Sequence, residues 1–596
     1  MGEVIDINGP IVLIREPGIR NGEQVRIGEQ GLVGEVIHLR EKDAVVQVYE
    51  STESLRPGEK VNGLGHPLTV ELGPGLLGQI FDGVQRPLNR IMQLSGEYIS
   101  RGLAVDALDR EKLWHFIPNE KLLVGSNVRG GEILGTVQET ETIEHRILAP
   151  PDCDGEIIEH APEGDYTVEE IIARVRSHKN QKYVRELKMY HHWPVRKPRP
   201  FKSRSNSGEP LITGQRILDT FFPMLKGGKA AVPGPFGAGK TMVQQQIARW
   251  ANADIVLYVG CGERGNEMVD ILQSFPELTD PRSGRSLMER TFLVGNTSNM
   301  PVVAREASIY VGVTMAEYYR DQGYDVVMVA DSTSRWAEAL REVGGRLGQM
   351  PVEEGYPAYL ASRLAAFYER AGTVNTLCDD SGSVSLIGAV SPPGGDFSEP
   401  VTSHTKEIIR TFWALSKQLA DARHYPSVSW LESFTDYADR AAEWWAQEVS
   451  PQWKPRREKA LALLAEADEL DRIVNLVGPE ALSSTQRWVL ESAGLIKEAV
   501  LQQSALDPVD SYCSPQKQFA LLDLVLKYHN GGAEMIKLGV PVEQLSEQPF
   551  GAEIRRAKSS VSNDDLHPLD QIWQRIQTML DGMRAEYSGK QEAIHE

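Results

Sequence analysis

The sequence predicts a multidomain α/β protein with an N-terminal β-barrel, a β-rich insertion, a parallel α/β domain and a C-terminal helical bundle. Its 596 residues are more than one hydrophobic core holds, so several domains are expected. Short β-branched segments come first, strands and helices then alternate, and amphipathic helical stretches come last. A glycine-rich motif at residues 234–241 lies between a strand and a helix of the alternating part.

The barrel is predicted from five β-branched segments that Gly, Asn and Asp residues separate. These segments are residues 4–7, 10–14, 24–27, 31–39 and 44–48. From about Asp106 glycines punctuate short β-like pieces, and residues 168–175 are expected to be helical. The barrel, a connector, the insertion, the α/β domain and the helical domain are predicted at residues 1–70, 71–105, 106–200, 201–435 and 436–596.

The insertion ends in a proline-rich basic stretch, Trp-Pro-Val-Arg-Lys-Pro-Arg-Pro, at residues 193–200. Prolines at this density favour an extended connector, and its charges are expected to be solvated. A partner-binding patch or a nucleic-acid contact is the alternative interpretation.

A parallel sheet is predicted because strand and helix patterns alternate between residues 208 and 434. Strands are expected at residues 230–232, 254–259, 291–295, 325–330 and 383–390, and helices at 241–251 and 300–320. Helices of the C-terminal bundle are expected at residues 457–470, 516–528 and 566–586.

The composition excludes several classes of protein. The formal charge of −20, from 83 acidic and 63 basic residues, argues against nucleic acid as a partner. The 4 cysteines form no Cys-x-x-Cys pair, which argues against a disulfide framework or a zinc site. The first residues lack a signal-peptide pattern, and no apolar run is long enough to cross a bilayer. We expect a cytoplasmic protein that contacts a membrane only through partners.

The glycine-rich motif, Gly-Pro-Phe-Gly-Ala-Gly-Lys-Thr, matches the phosphate-loop pattern G-x-x-x-x-G-K-[ST] in full. Glycines let backbone N–H groups turn toward anionic oxygens, and the next helix directs its positive end at them. Lys240 can neutralise the β- and γ-phosphates, and the Thr241 hydroxyl can ligate Mg²⁺. The alternative is a chance glycine turn before a helix. The expected phosphate-binding residues are Gly234, Pro235, Phe236, Gly237, Ala238, Gly239, Lys240 and Thr241.

Two charged side chains follow the strand predicted at residues 254–259. Ligands of open α/β sheets bind at the carboxyl ends of the strands, so Glu263 and Arg264 are expected to face the phosphates. Glu263 can orient and polarise an attacking water, and Arg264 can neutralise charge on the γ-phosphate. A solvated Glu–Arg pair in a turn is the alternative.

A third candidate carboxylate, Asp331, closes the apolar strand predicted at residues 325–330. A carboxylate at the tip of a buried strand can hold a water bound to Mg²⁺. The hydroxyls of residues 332–334, directly after it, are candidates to extend the metal shell. Many strands end in Asp because Asp favours turns, so Asp331 alone is a weak indication of a metal site. Together with the phosphate loop the indication is strong.

Several segments resemble the catalytic A subunits of V-type and A-type rotary ATPases. Residues 260–267, Gly-Cys-Gly-Glu-Arg-Gly-Asn-Glu, resemble the A-subunit motif more closely than that of ATP synthase β subunits. The segments at residues 70–83, 355–360 and 391–400 are similar to A-subunit loops, and residues 213–219 resemble an entry segment shared with the Rho helicase. Residues 106–200 look like the additional domain that distinguishes A subunits.

The resemblance implies a RecA-like nucleotide domain and an alternating hexamer of three A and three B subunits around a central stalk, with peripheral stalk and membrane rotor partners. It implies that ATP and ADP are the substrates, with Mg²⁺ as cofactor. It also implies that Lys240 and Thr241 bind phosphate and Mg²⁺, that Glu263 activates water, and that Arg264 contacts the γ-phosphate. Tyr425 stands where the family places an aromatic residue against adenine.

Two residues depart from the family pattern. Leu506 stands where some relatives carry a second aromatic residue against adenine. Ala238 stands where eukaryotic vacuolar subunits have cysteine, so the resemblance implies no disulfide switch there and favours a bacterial or archaeal origin. Two alternatives remain: another RecA-like hexameric motor, of the Rho or protein-export type, and a non-catalytic nucleotide-binding subunit of the same ring.

Overall fold

The computed structural model describes residues 2–96, 99–179 and 181–595, and its backbone contacts divide the chain into two compact units. The first unit comprises Met1–Ser207, Lys226–Ala231 and Ala253–Ile409. The second unit comprises Gly208–Leu225, Val232–Asn252 and Arg410–Glu596.

The first unit begins with a closed six-stranded barrel, which confirms the N-terminal prediction. Its strands are β1 (Gly2–Asn8), β2 (Ile11–Arg15), β3 (Glu23–Ile27), β4 (Leu32–Leu39), β5 (Ala44–Val48) and β6 (Lys60–Pro67), in the order β1–β2–β5–β4–β3–β6. Apolar residues alternate along these strands and fill the interior, among them Val12, Ile14, Val25 and Val46. β6 was not predicted, because most of its residues are exposed and two are glycines.

The connector contains two short strands and one helix. They are β7 (Thr69–Leu72), β8 (Ile80–Phe81) and α1 (Leu88–Ser95).

The insertion is a pair of four-stranded antiparallel sheets. Its strands are β9 (Trp114–Pro118), β10 (Asn127–Arg129), β11 (Ile133–Gln138), β12 (Glu144–Leu148), β13 (Asp154–His160), β14 (Gly164–Tyr166), β15 (Ile171–Ser177), β16 (Val184–Lys188) and β17 (His191–Pro194). One sheet has the order β10–β13–β15–β16, the other β12–β11–β9–β14, and β17 pairs with β7. The helix expected at residues 168–175 was wrong: Ile171, Ile172 and Val175 belong to β15, which pairs with strands on both sides.

The next part of the chain alternates strands and helices, as predicted. Its elements are β18 (Ser203–Ser205), β19 (Lys229–Pro233), α2 (Lys240–Trp250), β20 (Ile255–Glu263), α3 (Gly265–Glu277), β21 (Thr291–Thr297), α4 (Val302–Asp321), β22 (Asp325–Asp331), α5 (Thr333–Arg346), α6 (Leu360–Tyr368), β23 (Gly372–Asn375), β24 (Ser381–Val390), α7 (Pro400–Ile408), β25 (Thr411–Phe412), α8 (Lys417–Asp421) and β26 (Phe434–Thr435). In the first unit β24, β22, β20, β21 and β8 are parallel neighbours in that order. Their carboxyl ends therefore share one edge of the sheet.

The basic stretch at residues 193–200 is extended, but its charges are not all solvated. Arg199 is 1% exposed, and its guanidinium bonds to Asp321 near the end of α4. Arg196 forms ion pairs with both Glu35 of the barrel and Glu306 of α4. These arginines were expected to be exposed to solvent, because their partners lie far away in the chain.

The second unit ends in a bundle of helices, as predicted. They are α9 (Ala438–Glu448), α10 (Trp453–Val477), α11 (Ser484–Leu495), α12 (Pro515–Lys537), α13 (Val542–Ser546), α14 (Phe550–Ser560) and α15 (His567–His595). Their core includes Trp445 stacked on Trp453 at 5.0 Å between ring centroids, and Trp488, whose indole N–H donates to the His529 carbonyl at 2.8 Å. None of the helices that the structure describes is long and apolar enough to span a bilayer.

Candidate active site

The glycine-rich loop of residues 234–241 connects β19 to α2, as predicted. Gly237 has φ +78° and Gly239 has φ +87°, a left-handed conformation that strains any residue with a Cβ. Gly239 immediately precedes α2, so the loop runs directly into the N-terminus of the helix. A glycine loop in this position offers backbone N–H groups and the positive end of the helix dipole to an anion.

Bonds within the second unit hold this loop in shape. The Lys240 ammonium donates to the Gly234 carbonyl at 2.8 Å, which places its charge over the loop. The Ser427 hydroxyl donates to the carbonyl of Ala238, which is 1% exposed. Phe236, at the tip of the loop, is 74% exposed. Thr241 lies in the first turn of α2 and is partly exposed.

A cavity of about 540 Å³ lies beside the loop in the second unit. Residues that line it are Gln215, Gly239, Met242, Gln246, Tyr425, Gln502 and Leu506. A Cβ added to Gly239 would lie 3.7 Å from the Tyr425 ring, so the loop and the aromatic residue are neighbours. Tyr425 and Leu506 are 45% and 90% exposed, which leaves both surfaces free to pack against a planar group. We call this space the base-side cavity.

In the first unit, two neighbouring parallel strands end in carboxylates. Gly260 of β20 lies opposite Asp331 of β22, and β20 continues to Glu263. The Tyr258 hydroxyl donates to Asp331 Oδ2 at 2.9 Å, and Asp331 is 5% exposed. Glu263 and Asp331, which the sequence analysis selected separately, therefore lie on the same edge of the sheet.

The charges at this edge change the acidity of Glu263. Burial, together with the negative charges of Asp331 and Glu267, raises the pKa of Glu263 to about 8, and Arg335 opposes the shift. A carboxyl group whose pKa lies near neutrality can accept a proton during a reaction, which is the property a general base needs.

Four family descriptions match successive parts of the chain. They are the ATP synthase alpha/beta family beta-barrel domain at residues 2–65, the ATP synthase alpha/beta subunit barrel-sandwich domain at 105–196, the ATP synthase alpha/beta family nucleotide-binding domain at 214–435, and the C-terminal domain of V and A type ATP synthase at 442–545. A V-type ATP synthase alpha chain from Nitrosococcus oceani is 65% identical over 590 residues, which cover 99% of each chain. The chain belongs to the ATP synthase alpha/beta family.

Within the ATP synthase alpha/beta family, the chain is similar to V-type alpha chains and A-type A subunits along almost its whole length. The A subunit of an A-type ATP synthase from Methanopyrus kandleri is 52% identical over 590 residues, covering 98% of this chain and 99% of its own. Another from Desulfurococcus sp. strain SY is 54% identical over 561 residues, covering 94% and 95%. The family that the motifs indicated is confirmed.

A solved structure shows the same fold at lower similarity. It is the assembled ATPase EscN of the enteropathogenic E. coli type III secretion system, with 21% identity and a TM-score of 0.61, covering 88% of this chain and 100% of that one. Identity at this level shows a shared fold alone. The A-type relatives align over far more similar sequence, so another hexameric motor is not favoured.

Three arginines lie near the carboxylate edge of this family member. Arg264 immediately precedes α3 and is exposed. A Cβ added to Gly262, whose φ is +73°, would lie 2.7 Å from Arg305 Cδ and 2.9 Å from Arg335 Cβ. Arg305 was not predicted as a site residue and Arg335 was predicted without a role, although helices that follow parallel strands begin at this same edge. The aromatic hydroxyl of Tyr258 was also missed, because it lies in the middle of an apolar strand.

The hydroxyls after Asp331 form hydrogen bonds with protein groups. Ser332 Oγ accepts a bond from the Arg335 N–H, and Thr333 Oγ1 donates to the Ala389 carbonyl at 3.0 Å. Ser334 Oγ accepts from the backbone N–H of residue 391 at 2.8 Å. All three side chains are buried, and their expected contact with a metal stays a prediction.

Whether this chain could bind Mg²⁺ depends on the oxygen groups of its site residues. No cluster of three or more His, Cys, Asp or Glu side chains in the described part of the chain is arranged to hold a metal ion. Mg²⁺ bound with a nucleotide takes most of its ligands from phosphates and water, so one or two protein oxygens suffice. The Thr241 hydroxyl of the second unit and the Asp331 carboxylate of the first unit are each an oxygen group of this kind.

Proposed function

We propose that this chain is the catalytic subunit of a V-type or A-type rotary ATPase. It hydrolyses or synthesises ATP while partner subunits carry protons or sodium ions across a membrane. The observation that carries the proposal is an intact phosphate loop, with Lys240 and Thr241 in place, in a chain that also ends β20 in Glu263. The end-to-end similarity to a V-type alpha chain supports it.

The phosphate loop binds the triphosphate. Its backbone N–H groups and the N-terminus of α2 attract the anionic oxygens, and the Lys240 ammonium exchanges the Gly234 carbonyl for the β- and γ-phosphates. Thr241 and Asp331 would hold Mg²⁺, and the ion would neutralise phosphate charge. Loss of any of these groups weakens the stabilisation of charge that develops during phosphoryl transfer.

Glu263 orients and polarises the attacking water. Its pKa lies above the ordinary carboxyl value because burial, Asp331 and Glu267 disfavour the charged form. A raised pKa makes the ionised carboxylate a stronger base, which suits a residue that accepts a proton from the attacking water. Arg264, which is exposed, neutralises charge on the γ-phosphate.

The base-side cavity receives adenine. Tyr425 packs against one face of the base, since its ring is exposed and lies beside Gly239 of the loop. Leu506 supplies an aliphatic contact where some relatives carry an aromatic residue.

The partners follow from the rotary family. We propose an alternating hexamer with three B subunits, contacts with the central and peripheral stalks, and a link through them to the membrane rotor. The complex then places this chain in the cytoplasm, at the membrane periphery, and an arginine of the neighbouring B subunit completes catalysis. The relatives named above come from bacteria and archaea, which fits a prokaryotic origin.

The alternative within the ring is a non-catalytic nucleotide-binding subunit. Such a subunit has no need of a water-activating carboxylate or of a complete phosphate loop. The present chain has both, with Lys240, Thr241 and Glu263 at the expected element ends. Catalysis is therefore the better proposal.

The deciding experiment rebuilds the complex from this chain with its B and stalk subunits. MgATP hydrolysis should be measured with the wild-type chain and with Lys240→Ala, at matched complex assembly. Loss of hydrolysis with the variant supports catalysis by this chain. Equal hydrolysis by both complexes contradicts the proposal, because it assigns catalysis to another chain of the complex.

A further inference from the structure

Four glutamines line the base-side cavity. Both ends of the Gln503 amide are bonded to protein groups, whereas the other three glutamines have amides of fixed orientation with one end unbonded. Gln215, Gln246 and Gln502 all line the cavity within the second unit. The oxygen and nitrogen ends of an amide have nearly the same shape, so hydrogen-bond partners decide which end points where. In each of the three, one end of the amide is held by a protein group of a single kind.

In two of the glutamines the amide oxygen is bonded to a protein group and the NH₂ group is not. The Trp250 indole N–H donates to Gln246 Oε1 at 3.1 Å, and the Lys558 ammonium donates to Gln502 Oε1 at 3.1 Å. Indole and ammonium groups only donate, so each amide must present its oxygen to them. Within the part of the chain that the structure describes, neither NH₂ group has a protein acceptor, and both remain for a ligand.

Gln215 has the opposite orientation. Its Nε2 donates to the Ser511 carbonyl at 3.2 Å, and a carbonyl only accepts, so the NH₂ end is committed there. Its Oε1 receives no hydrogen bond from any residue described here, although the side chain is only 5% exposed. Because this oxygen has no donor from the protein, a donor group of a ligand in the cavity would bond to it favourably.

One acceptor and two donors form a pattern that suits adenine. Adenine carries an exocyclic amino group, which donates, between the ring nitrogens N1 and N7, which accept. Guanine has a carbonyl oxygen in place of that amino group, so it would bring an acceptor against the Gln215 oxygen. We infer that Gln215 selects the base by accepting from the 6-amino group, while Gln246 and Gln502 donate to ring nitrogens.

This inference rests on the proposed function, because it assumes that the base enters the base-side cavity. It adds the residues that decide which base is bound. Tyr425 packs on any aromatic base and therefore discriminates little, whereas a polar group that loses its partner excludes the wrong base.

The test compares nucleotides that differ in one polar group. The full-length chain is titrated in the presence of Mg²⁺ with ATP, with GTP and with purine riboside triphosphate. The last of these has hydrogen in place of the 6-amino group. The wild-type chain should bind the purine analogue about tenfold more weakly than ATP, the effect of roughly one lost hydrogen bond. GTP should bind more weakly still.

Variants assign this preference to particular residues. Gln215→Met keeps the length of the side chain but removes the acceptor, so ATP and the purine analogue should bind equally. Gln447→Met, on an exposed face of α9, is the matched control and should keep the tenfold preference. The analogues 1-deaza-ATP and 7-deaza-ATP each lack one ring nitrogen. At least one of them should bind to the wild-type chain about tenfold more weakly than ATP does. Gln246→Met or Gln502→Met should remove this difference between ATP and the analogue.

Different results would contradict the base selection by Gln215 and the proposed function. If the wild-type chain binds ATP and the purine analogue equally, the base selection by Gln215 is overturned while nucleotide binding stands. This comparison needs no variant, so a misfolded Gln215→Met protein does not obscure it. If the chain binds no nucleotide at all, the proposed function is overturned and the inference with it.

Discussion

The Arg199 guanidinium donates from Nε to Asp321 Oδ2 at 2.6 Å, and only 1% and 9% of the two side chains are exposed. A second guanidinium nitrogen donates to His191 Nε2 at 3.0 Å, and the Arg199 backbone N–H donates to Glu317 Oε2 at 3.0 Å. Arg320 donates to the other oxygen of Asp321 at 2.6 Å. The chain that leaves the insertion is therefore fixed to α4 by a buried network of charges.

Asp321→Asn should destabilise the protein strongly. The asparagine keeps the shape of the side chain but leaves Arg199 and Arg320 buried without their shared counter-charge. Removing one partner of a buried ion pair costs about 3–5 kcal/mol. The unfolding free energy of the first transition in a urea titration should therefore fall by about that amount. Urea denaturation followed by circular dichroism measures it.

The matched control is Asp439→Asn. Asp439 forms an ion pair with Lys454 at 2.7 Å, but 82% of the aspartate side chain is exposed. Water screens a pair of this kind, so the unfolding transition should not move measurably. If both variants unfold like wild type, the Arg199 network does not contribute to stability as the geometry indicates.

The fold class could be predicted from the sequence because each domain carries its own local pattern. The alternation of strands and helices, and the β-branched segments of the barrel, are visible within windows of about ten residues. β15 and β6 were missed for opposite reasons: β15 looks helical in isolation, and β6 has two glycines and little buried surface. Burial of Arg199 was unpredictable, because Asp321 is 122 residues away in the chain.

The candidate site was predictable where residues are contiguous. The loop at residues 234–241 and the strand-end residues Glu263 and Asp331 follow from motif and element order. No local pattern distinguishes Arg305 from surface residues. The same is true of Gln215, Gln246 and Gln502 of the base-side cavity, which come from separate parts of the chain. Their roles depend on which amide or guanidinium group faces which neighbour, and only coordinates supply that.

The isolated chain should hydrolyse ATP poorly. In phosphoryl transfer, an arginine that a neighbour supplies contributes roughly 10³–10⁵ in rate, and the proposed ring places this residue on the B subunit. Turnover per site should be measured for the full-length chain alone and for the complex with B and stalk subunits. Equal rates per site would show that the chain needs no residue from a partner.

His529 should make stability depend on pH in a defined window. Burial, with a smaller contribution from Lys459, lowers the pKa of His529 to about 4, and its Nδ1 lies 2.8 Å from Ser492 Oγ. In the unfolded chain the imidazole has a pKa of about 6.5, so between these values the unfolded state binds a proton that the folded state does not. This contribution to stability is complete above pH ~6.5 and is lost as the pH falls toward ~4.

The measurement compares wild type with His529→Gln at two pH values. Urea titrations at about pH 7 and pH 5 give the unfolding free energy of each protein, and other groups that titrate cancel in the difference. Wild type should lose about 2 kcal/mol more than the variant over this interval, as the two pKa values require. Parallel losses in the two proteins would mean that His529 can be protonated in the folded state.

Glu263→Gln distinguishes a water-activating residue from a phosphate-binding one. The amide keeps the shape of the side chain but cannot take up the proton of the attacking water. Because a residue that acts in the transition state does not strengthen ground-state binding, turnover should fall by roughly 10²–10⁴ while ATP affinity stays near wild type.

Lys240→Ala provides the contrast, because it removes the ammonium that the phosphate loop holds at 2.8 Å from the Gly234 carbonyl. This variant should weaken ATP binding as well as turnover, since the lysine contacts the phosphates before and during the reaction. Nucleotide titration and steady-state hydrolysis in the assembled complex separate the two patterns. If Glu263→Gln hydrolyses ATP at nearly the wild-type rate, the base must be another carboxylate. Glu267, whose charge helps to raise the pKa of Glu263, is then the residue to substitute next.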